Sequence, residues 1–229
     1  MSRSGELNYL RAIGPDRARH AFDKPFAGGG CGPLLADFGT FASFFPPPPR
    51  TLLDLGCGTG WTSVFFARMG YDVTGVDLAP DMILAANANK ARYGVENATF
   101  VTGDFERLDY ENVFDCVALF AALHHAEDDA AVLRGAYRAL RPGGVCVTAE
   151  PGVGHTKHPI TRAAVAEQGV TERDMPPSRI LRLGTQAGFS KGEAFPMIPD
   201  LRRGRLRALK WAIWAIAFPR RNGYAVLTK

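Results

Sequence analysis

Gly56, Gly58 and Gly60, spaced two apart, separate the apolar run LLDL from the helical pattern WTSVFFARM. A strand-to-helix turn of this kind brings backbone amides close to a ligand, and the helix N-terminus behind it favours an anionic group. Asp77 ends the next apolar run, 21 residues after Gly56, where a carboxylate can accept both hydroxyls of a ribose. Asp104 ends the run after that. These residue types at these spacings suit a ligand containing adenosine. Such a turn also occurs without any ligand, and the acid after the second strand suits NAD as well as other adenosine compounds. No GK[ST] follows the glycines, which excludes a P-loop. Histidines form a second set. His124 and His125 follow the apolar run FDCVALF, and His155 and His158 lie in PGVGHTKHP. Histidine titrates near neutral pH and can take a hydroxyl proton. His125 and His155, with His124 beside them, are favoured as a base over Glu150, which is expected to hold its loop. HTKH has ligand spacing, but no clustered third ligand is visible in the sequence, so no metal is expected.

Positioning these residues takes a regular alternation of elements. Strands are expected over 51–55, 71–77, 98–104, 114–120 and 144–150, and helices over 61–69, 80–94 and 127–140. Pro80 lies in the first turn of the second helix and Gly94 after its end, and acids open the third helix where the dipole favours them. A further helix is expected at SRILRLGTQAG, with short strands at KGEAFPMI and GYAVLTK. Strands alternating with helices predict an α/β fold with a doubly wound, mostly parallel, Rossmann-like sheet of seven strands. Pro46 to Pro49 cannot continue a helix, so residues 1–49 read as an N-terminal helical cap, with a helix over Pro33 to Phe44, ahead of a domain over 50–229.

Five stretches in this order, LLDLGCGTG, VTGVDLAPDMI, VTGDFERL, FDCVALFAALHH and LRPGG, resemble the class I S-adenosylmethionine-dependent methyltransferases. The similarity is greatest to the small-molecule branch that includes the ubiquinone and menaquinone biosynthesis enzymes, and it covers roughly residues 50 to 150. The resemblance implies S-adenosylmethionine as cofactor and a role for each matching position. Asp54 and the turn Gly56, Cys57, Gly58 and Gly60 would face the methionine portion. Asp77 would bind the ribose, Leu78 would lie on the adenine, Asp104 would accept from its amino group and Phe105 would flank the ring. Leu119, near the end of the fourth strand, completes the set. Asp54 also reads as a buried acid bonded to nearby amides. Related enzymes that methylate base amino groups carry NPPY-like motifs where this chain has ALHH, and Pro-Cys is missing, so no nucleic-acid substrate is expected. Methyl transfer from a sulfonium is an in-line displacement that needs mainly alignment, so the lack of a catalytic triad does not count against an enzyme.

The chain of 229 residues is 46% hydrophobic and 22% charged, ordinary for a single globular core. Its formal charge of +4 is unevenly spread: the stretch from Leu201 carries +8 and residues 1–200 carry −4. Cys31, Cys57, Cys116 and Cys146 lie far apart with no CxxC, which points to a reducing, cytoplasmic setting. No export signal or membrane span is expected. Residues 201–221 read as a basic and apolar helical insertion before the last strand. Basic flanks with tryptophan suit a helix lying on an anionic membrane surface. The same residues also suit packing on the body or on a second copy in a homodimer. The expected reaction is O-methylation of a small or lipid- or glycan-linked molecule. An NAD-dependent oxidoreductase and a non-catalytic methyltransferase-like binding module are the alternatives.

Overall fold

The computed structural model describes residues 4–197, 209–210, 212–213, 217–218 and 222–229. Most of the basic and apolar stretch 201–221 therefore lies outside the described residues. Seven strands form one sheet: β1 (Thr51–Leu55), β2 (Asp72–Asp77), β3 (Ala98–Thr102), β4 (Phe114–Phe120), β5 (Leu140–Glu150), β6 (Lys191–Pro196) and β7 (Gly223–Thr228). Their spatial order is β3-β2-β1-β4-β5-β7-β6. The first five run parallel, and β7 pairs antiparallel with both β5 and β6. The chain winds outward from β1 to β3 and then outward again from β4, so β1 and β4 flank the point where direction reverses. Open sheets of this kind bind ligands in the crevice at that point.

Alternation along the strands divides the core. Leu53 and Leu55 face one layer with Leu119, Leu133 and Ile180, whereas Leu52 faces the other with Phe38, Phe41 and Phe66. Each such fully buried leucine or phenylalanine contributes about 1.5–3 kcal/mol. The first layer is covered by α6 (Asp129–Ala139) and α8 (Pro177–Ala187), the second by α3 (Cys31–Ala42) and α4 (Trp61–Met69). Tyr224 on β7 donates its hydroxyl to Asp37 on α3, tying the last strand to the segment ahead of the first.

Three helices lie where no helix was expected. They are α1 (Ser4–Ala12), α2 (Gly14–Phe22) and α7 (Pro159–Gln168); α5 (Pro80–Tyr93) sits where proline and Gly94 placed it. The helix expected over Pro33 to Phe44 starts two residues earlier, at Cys31. β5 begins at Leu140, four residues before its expected start, because Leu140 already pairs with Phe114 ahead of a register shift.

Candidate functional site

The glycine turn is built around Asp77. The amides of Gly56 and Cys57 both donate to the Val76 carbonyl, at 2.8 and 3.1 Å, and the Gly60 amide donates to Cys57 at 2.9 Å. The Gly58 amide donates to Asp77 Oδ2 at 2.9 Å, and the Ala79 amide to Oδ1 at 3.0 Å. These four turn amides are therefore engaged within the protein. The expectation that they would hold an anion needs correcting: the glycines serve close approach instead. A Cβ on Gly56, whose φ is +70°, would lie 2.6 Å from the Ala122 Cβ; one on Gly60 would lie 2.8 Å from Phe100. Burial raises the Asp77 pKa, opposed by its two backbone bonds. Each oxygen has bonding capacity left for a ligand hydroxyl.

A cavity of about 420 Å³ opens over this turn. Gly56, Cys57, Gly58, Asp77, Leu78, Asp104 and Phe105, all expected at a cofactor, line it. Asp104 caps a short 3-10 turn by accepting from the Glu106 amide at 3.0 Å. Ala121, also on the wall, holds φ +52° while its amide bonds Ala149. A non-glycine residue in that region stores strain of the kind found beside ligand sites.

Asp54, Gly60 and Leu119 do not line the cavity. Asp54 is buried one layer below, accepting from Thr62 Oγ1 at 2.7 Å and Ser63 Oγ at 2.6 Å, so it pins the start of α4 to β1. Burial raises its pKa. Leu119 belongs to the apolar core. The turn presents Gly56 to Thr59 to the cavity, and the two inward side chains of the flanking strands go to structure.

The cap closes the cavity from the other side. Glu6, Tyr9, Ile13, Arg17, His20, Ala21, Lys24 and Leu34 reach it. Five clasps hold it there. Thr59 Oγ1 donates to the Ala21 carbonyl at 2.8 Å, and Asn89 Nδ2 donates to Phe22 O and Thr59 O at 3.1 and 2.9 Å. Arg11 pairs with Asp81 and Arg92 with Asp23. The Thr171 amide donates to Glu6 Oε1 at 2.8 Å. Acids reach the cavity wall from both sides, Asp77, Asp104, Glu106 and Glu127 from the sheet and Glu6 from α1, while Arg17, His20 and Lys24 come from α2 and its end. Burial depresses the Lys24 pKa.

Of the three histidines favoured as bases, only His125 lines the cavity. Its Nδ1 donates to the Thr171 carbonyl at 2.7 Å, since a carbonyl can only accept, and Glu6 lies 3.5 Å away. Burial works against its charged form, but the carboxylates of Glu6 and Glu172 prevail and push its pKa up to about 9. It is therefore an imidazolium at neutral pH, the form that cannot accept a proton. His124 is buried, with Nδ1 2.7 Å from Glu150 Oε2, and burial pulls its pKa down. His155 places Nε2 2.6 Å from Glu172 Oε2, away from the cavity wall. Glu150 takes the Ala122 and Leu123 amides at 3.0 and 2.8 Å and so holds the loop after β4. Glu6, Thr171 and Glu172 were not singled out from the sequence, where nothing in their own neighbourhoods distinguishes them from surface residues.

Comparison with known proteins follows this geometry. Residues 53–148 match the family model described as a methyltransferase domain. The ubiquinone biosynthesis O-methyltransferase of Xanthomonas axonopodis pv. citri is 35% identical over 135 residues, covering 58% of this chain and 52% of that protein. The chain spans about half or less of the length of the curated relatives it matches, 52% and 39% for two of them. Phosphoethanolamine N-methyltransferase 2 of Haemonchus contortus, solved with S-adenosylmethionine, matches with a TM-score of 0.72 at 19% identity, over 100% of this chain and 59% of that one. An S-adenosylmethionine-dependent methyltransferase from Mesorhizobium loti matches with a TM-score of 0.61 at 20% identity, over 84% of this chain and 96% of that one. At those identities the shared property is the fold.

Proposed function

We propose that the chain, whose residues 53–148 match the methyltransferase-domain family model, moves the methyl group of S-adenosylmethionine to an oxygen of a small or lipid- or glycan-linked acceptor. The observation that carries this reading is the turn whose Gly56, Cys57, Gly58 and Gly60 amides are already bonded. A dinucleotide needs such amides free for its pyrophosphate. A donor without a pyrophosphate makes no such demand, and Gly58 leaves it room while Asp77 offers its ribose an acceptor.

In this reading Asp77 takes the ribose hydroxyls, Leu78 and Phe105 flank the adenine and Asp104 accepts from its amino group. Asp54 acts through α4, as a positioning residue. Residues 1–49 form the cap that encloses the acceptor, with Tyr9, Leu34, Trp61 and Phe120 as its apolar surroundings. Transfer itself makes one oxygen–carbon bond and breaks one carbon–sulfur bond, whose electron pair stays on sulfur as a neutral thioether. The hydroxyl proton leaves to solvent. Alignment in an enclosed pocket can supply about 7–11 kcal/mol of the barrier. Oxygen as the acceptor atom is supported by the activity named for the ubiquinone-pathway relatives. No described helix is long and apolar enough to cross a membrane. Leu209, Ile213 and Phe218 are exposed apolar residues within the basic stretch, which supports surface contact of 201–221 with an anionic membrane.

Calorimetric titration with S-adenosylhomocysteine and separately with NADH tests the donor. The homocysteine compound is expected to bind and NADH is not; the reverse result would end the reading. Transfer of labelled methyl to a panel of phenols, catechols and polyprenylated phenols then tests the acceptor.

A further inference from the structure

We propose that His124, His125 and Glu172 form a binding site for one divalent first-row transition-metal ion, zinc foremost, in the wall of the cavity. One ligand atom from each residue lies within 4.8 Å of those of the other two. His124 Nε2 and Glu172 Oε2 are 3.6 Å apart. Two ligands at about 2.0–2.1 Å from a tetrahedral zinc are separated by roughly 3.3 Å, so this pair already brackets an ion.

The rings are held as metal-ligating histidines are held. His124 engages Glu150 through Nδ1 at 2.7 Å, and Glu150 is itself fixed by two backbone amides. His125 donates Nδ1–H to the Thr171 carbonyl at 2.7 Å. In both, the outer partner occupies Nδ1 and leaves Nε2 as the nitrogen open to an ion, which on His125 would take the place of a proton. His155 Nε2 donates to Glu172 Oε2 at 2.6 Å and orients that carboxylate in turn. The His124 and His125 ring centroids lie 3.9 Å apart with the planes 40° from parallel, and the carboxylates of Glu6, Glu150 and Glu172 surround them.

The donor set selects the ion class. Two imidazoles and one carboxylate suit zinc, cobalt(II) or iron(II), whereas magnesium and calcium prefer all-oxygen shells. Three protein ligands leave one position open. His125 is the ligand that reaches the cavity, alongside Glu6, Glu127 and Thr171, so that position faces the enclosed space, where it can take an oxygen atom of a bound molecule. The site does not depend on which nucleotide occupies the turn.

Uptake of zinc by chelator-stripped full-length protein, followed by competition with a chromophoric chelator, tests the site. One equivalent of zinc is expected, and cobalt(II) in its place should show visible d–d bands of a four- or five-coordinate ion. Glu172→Gln and His124→Ala should each weaken uptake by at least about 10–100-fold, the loss that even an outer-sphere partner's removal causes. His158→Ala, at an exposed position in the same loop, should leave it unchanged. S-adenosylhomocysteine binding is measured in parallel: its retention shows that the variants fold. Absence of zinc uptake by the wild type, or uptake that survives both substitutions, overturns the site. Zinc uptake without homocysteine-compound binding would sink the donor reading and leave the metal site standing.

Discussion

The donor-side rim and the cap that closes over it bound the same cavity with contacts of very different reach. On the rim, Asp77 bonds Ala79 two residues away and Gly58 nineteen residues away, within a single strand–turn–helix–strand unit. The cap is held by Asn89 to Phe22, Arg92 to Asp23 and Arg11 to Asp81, at separations of 67 to 70, and by Thr171 to Glu6 at 165. Short-range closure costs little chain entropy and yields a preformed surface. These cap links close long loops, while α3 of the same segment packs Phe38 and Phe41 into the second core layer. A rigid half that grips the common cofactor and a separately attached half that meets the acceptor are the division of labour this suggests.

If the rim is preformed by close packing, filling its narrowest point should have the largest effect of any single change. Gly56→Val places a side chain against the Ala122 Cβ and demands φ +70° of a β-branched residue. Strain of about 1–3 kcal/mol adds to the steric clash. S-adenosylhomocysteine affinity should fall at least about thirtyfold, read by calorimetry, with a lowered melting temperature. Gly58→Ala sharpens the point, because a Cβ there meets nothing within 4 Å. It should cost only the left-handed backbone penalty, about 1–2 kcal/mol. Equal losses in the two variants would show that backbone freedom, not close approach, is what the glycines provide.

Next in size is Asp77→Ala. It removes the proposed ribose acceptor and releases the Gly58 and Ala79 amides together. Donor affinity should weaken more than tenfold, about 1.4 kcal/mol or more. An unchanged dissociation constant would take Asp77 out of the site.

The same difference in reach explains what was legible in the sequence. The rim could be read because its signals are local: Pro80 and Gly94 bracket α5, and glycine positions, strand ends and the acids after them lie in fixed order. The cap could not. α2 buries none of its residues, so GPDRARHAF has no apolar stripe to betray a helix, and only Pro15 at its start was a signal. α7 buries Thr161 alone, and its Pro159 and Gly169 were the available cues. The histidines show a further limit. Adjacent positions 124 and 125 gave no hint that one ring turns into the core toward Glu150 and the other toward the cavity. Nor could Glu172 be joined to them across 47 intervening positions without the fold. Asp54 was legible as an acid at the right place, but whether it faces ligand or Thr62 and Ser63 depends on one side-chain direction.

Smaller effects probe the cap. Asn89 is buried, and its amide joins the Phe22 carbonyl of the cap to the Thr59 carbonyl of the turn. Asn89→Ala leaves both carbonyls short of a donor, at about 1–3 kcal/mol. The melting temperature should fall by roughly 2–4 °C for each kcal/mol in a chain of this size. Limited proteolysis within residues 1–30 should accelerate while donor affinity changes far less than in Asp77→Ala. Comparable losses in both measurements would mean that cap and rim form one cooperative unit.

Arg11→Ala should do least. The Arg11 side chain is 74% exposed, and its pair with Asp81 is the sort that solvent and salt screen. The melting temperature should stay within about a degree of the wild type at physiological salt, since exposed pairs are worth little, and cap proteolysis should be unchanged. The contrast with Asn89→Ala locates the clasp. Of two links that span nearly the same sequence distance, 67 and 70 residues, the one shielded from water holds and the charged one on the surface only decorates. A drop of several degrees on losing Arg11, abolished by high salt, would reverse that assignment and make the cap an electrostatically held lid.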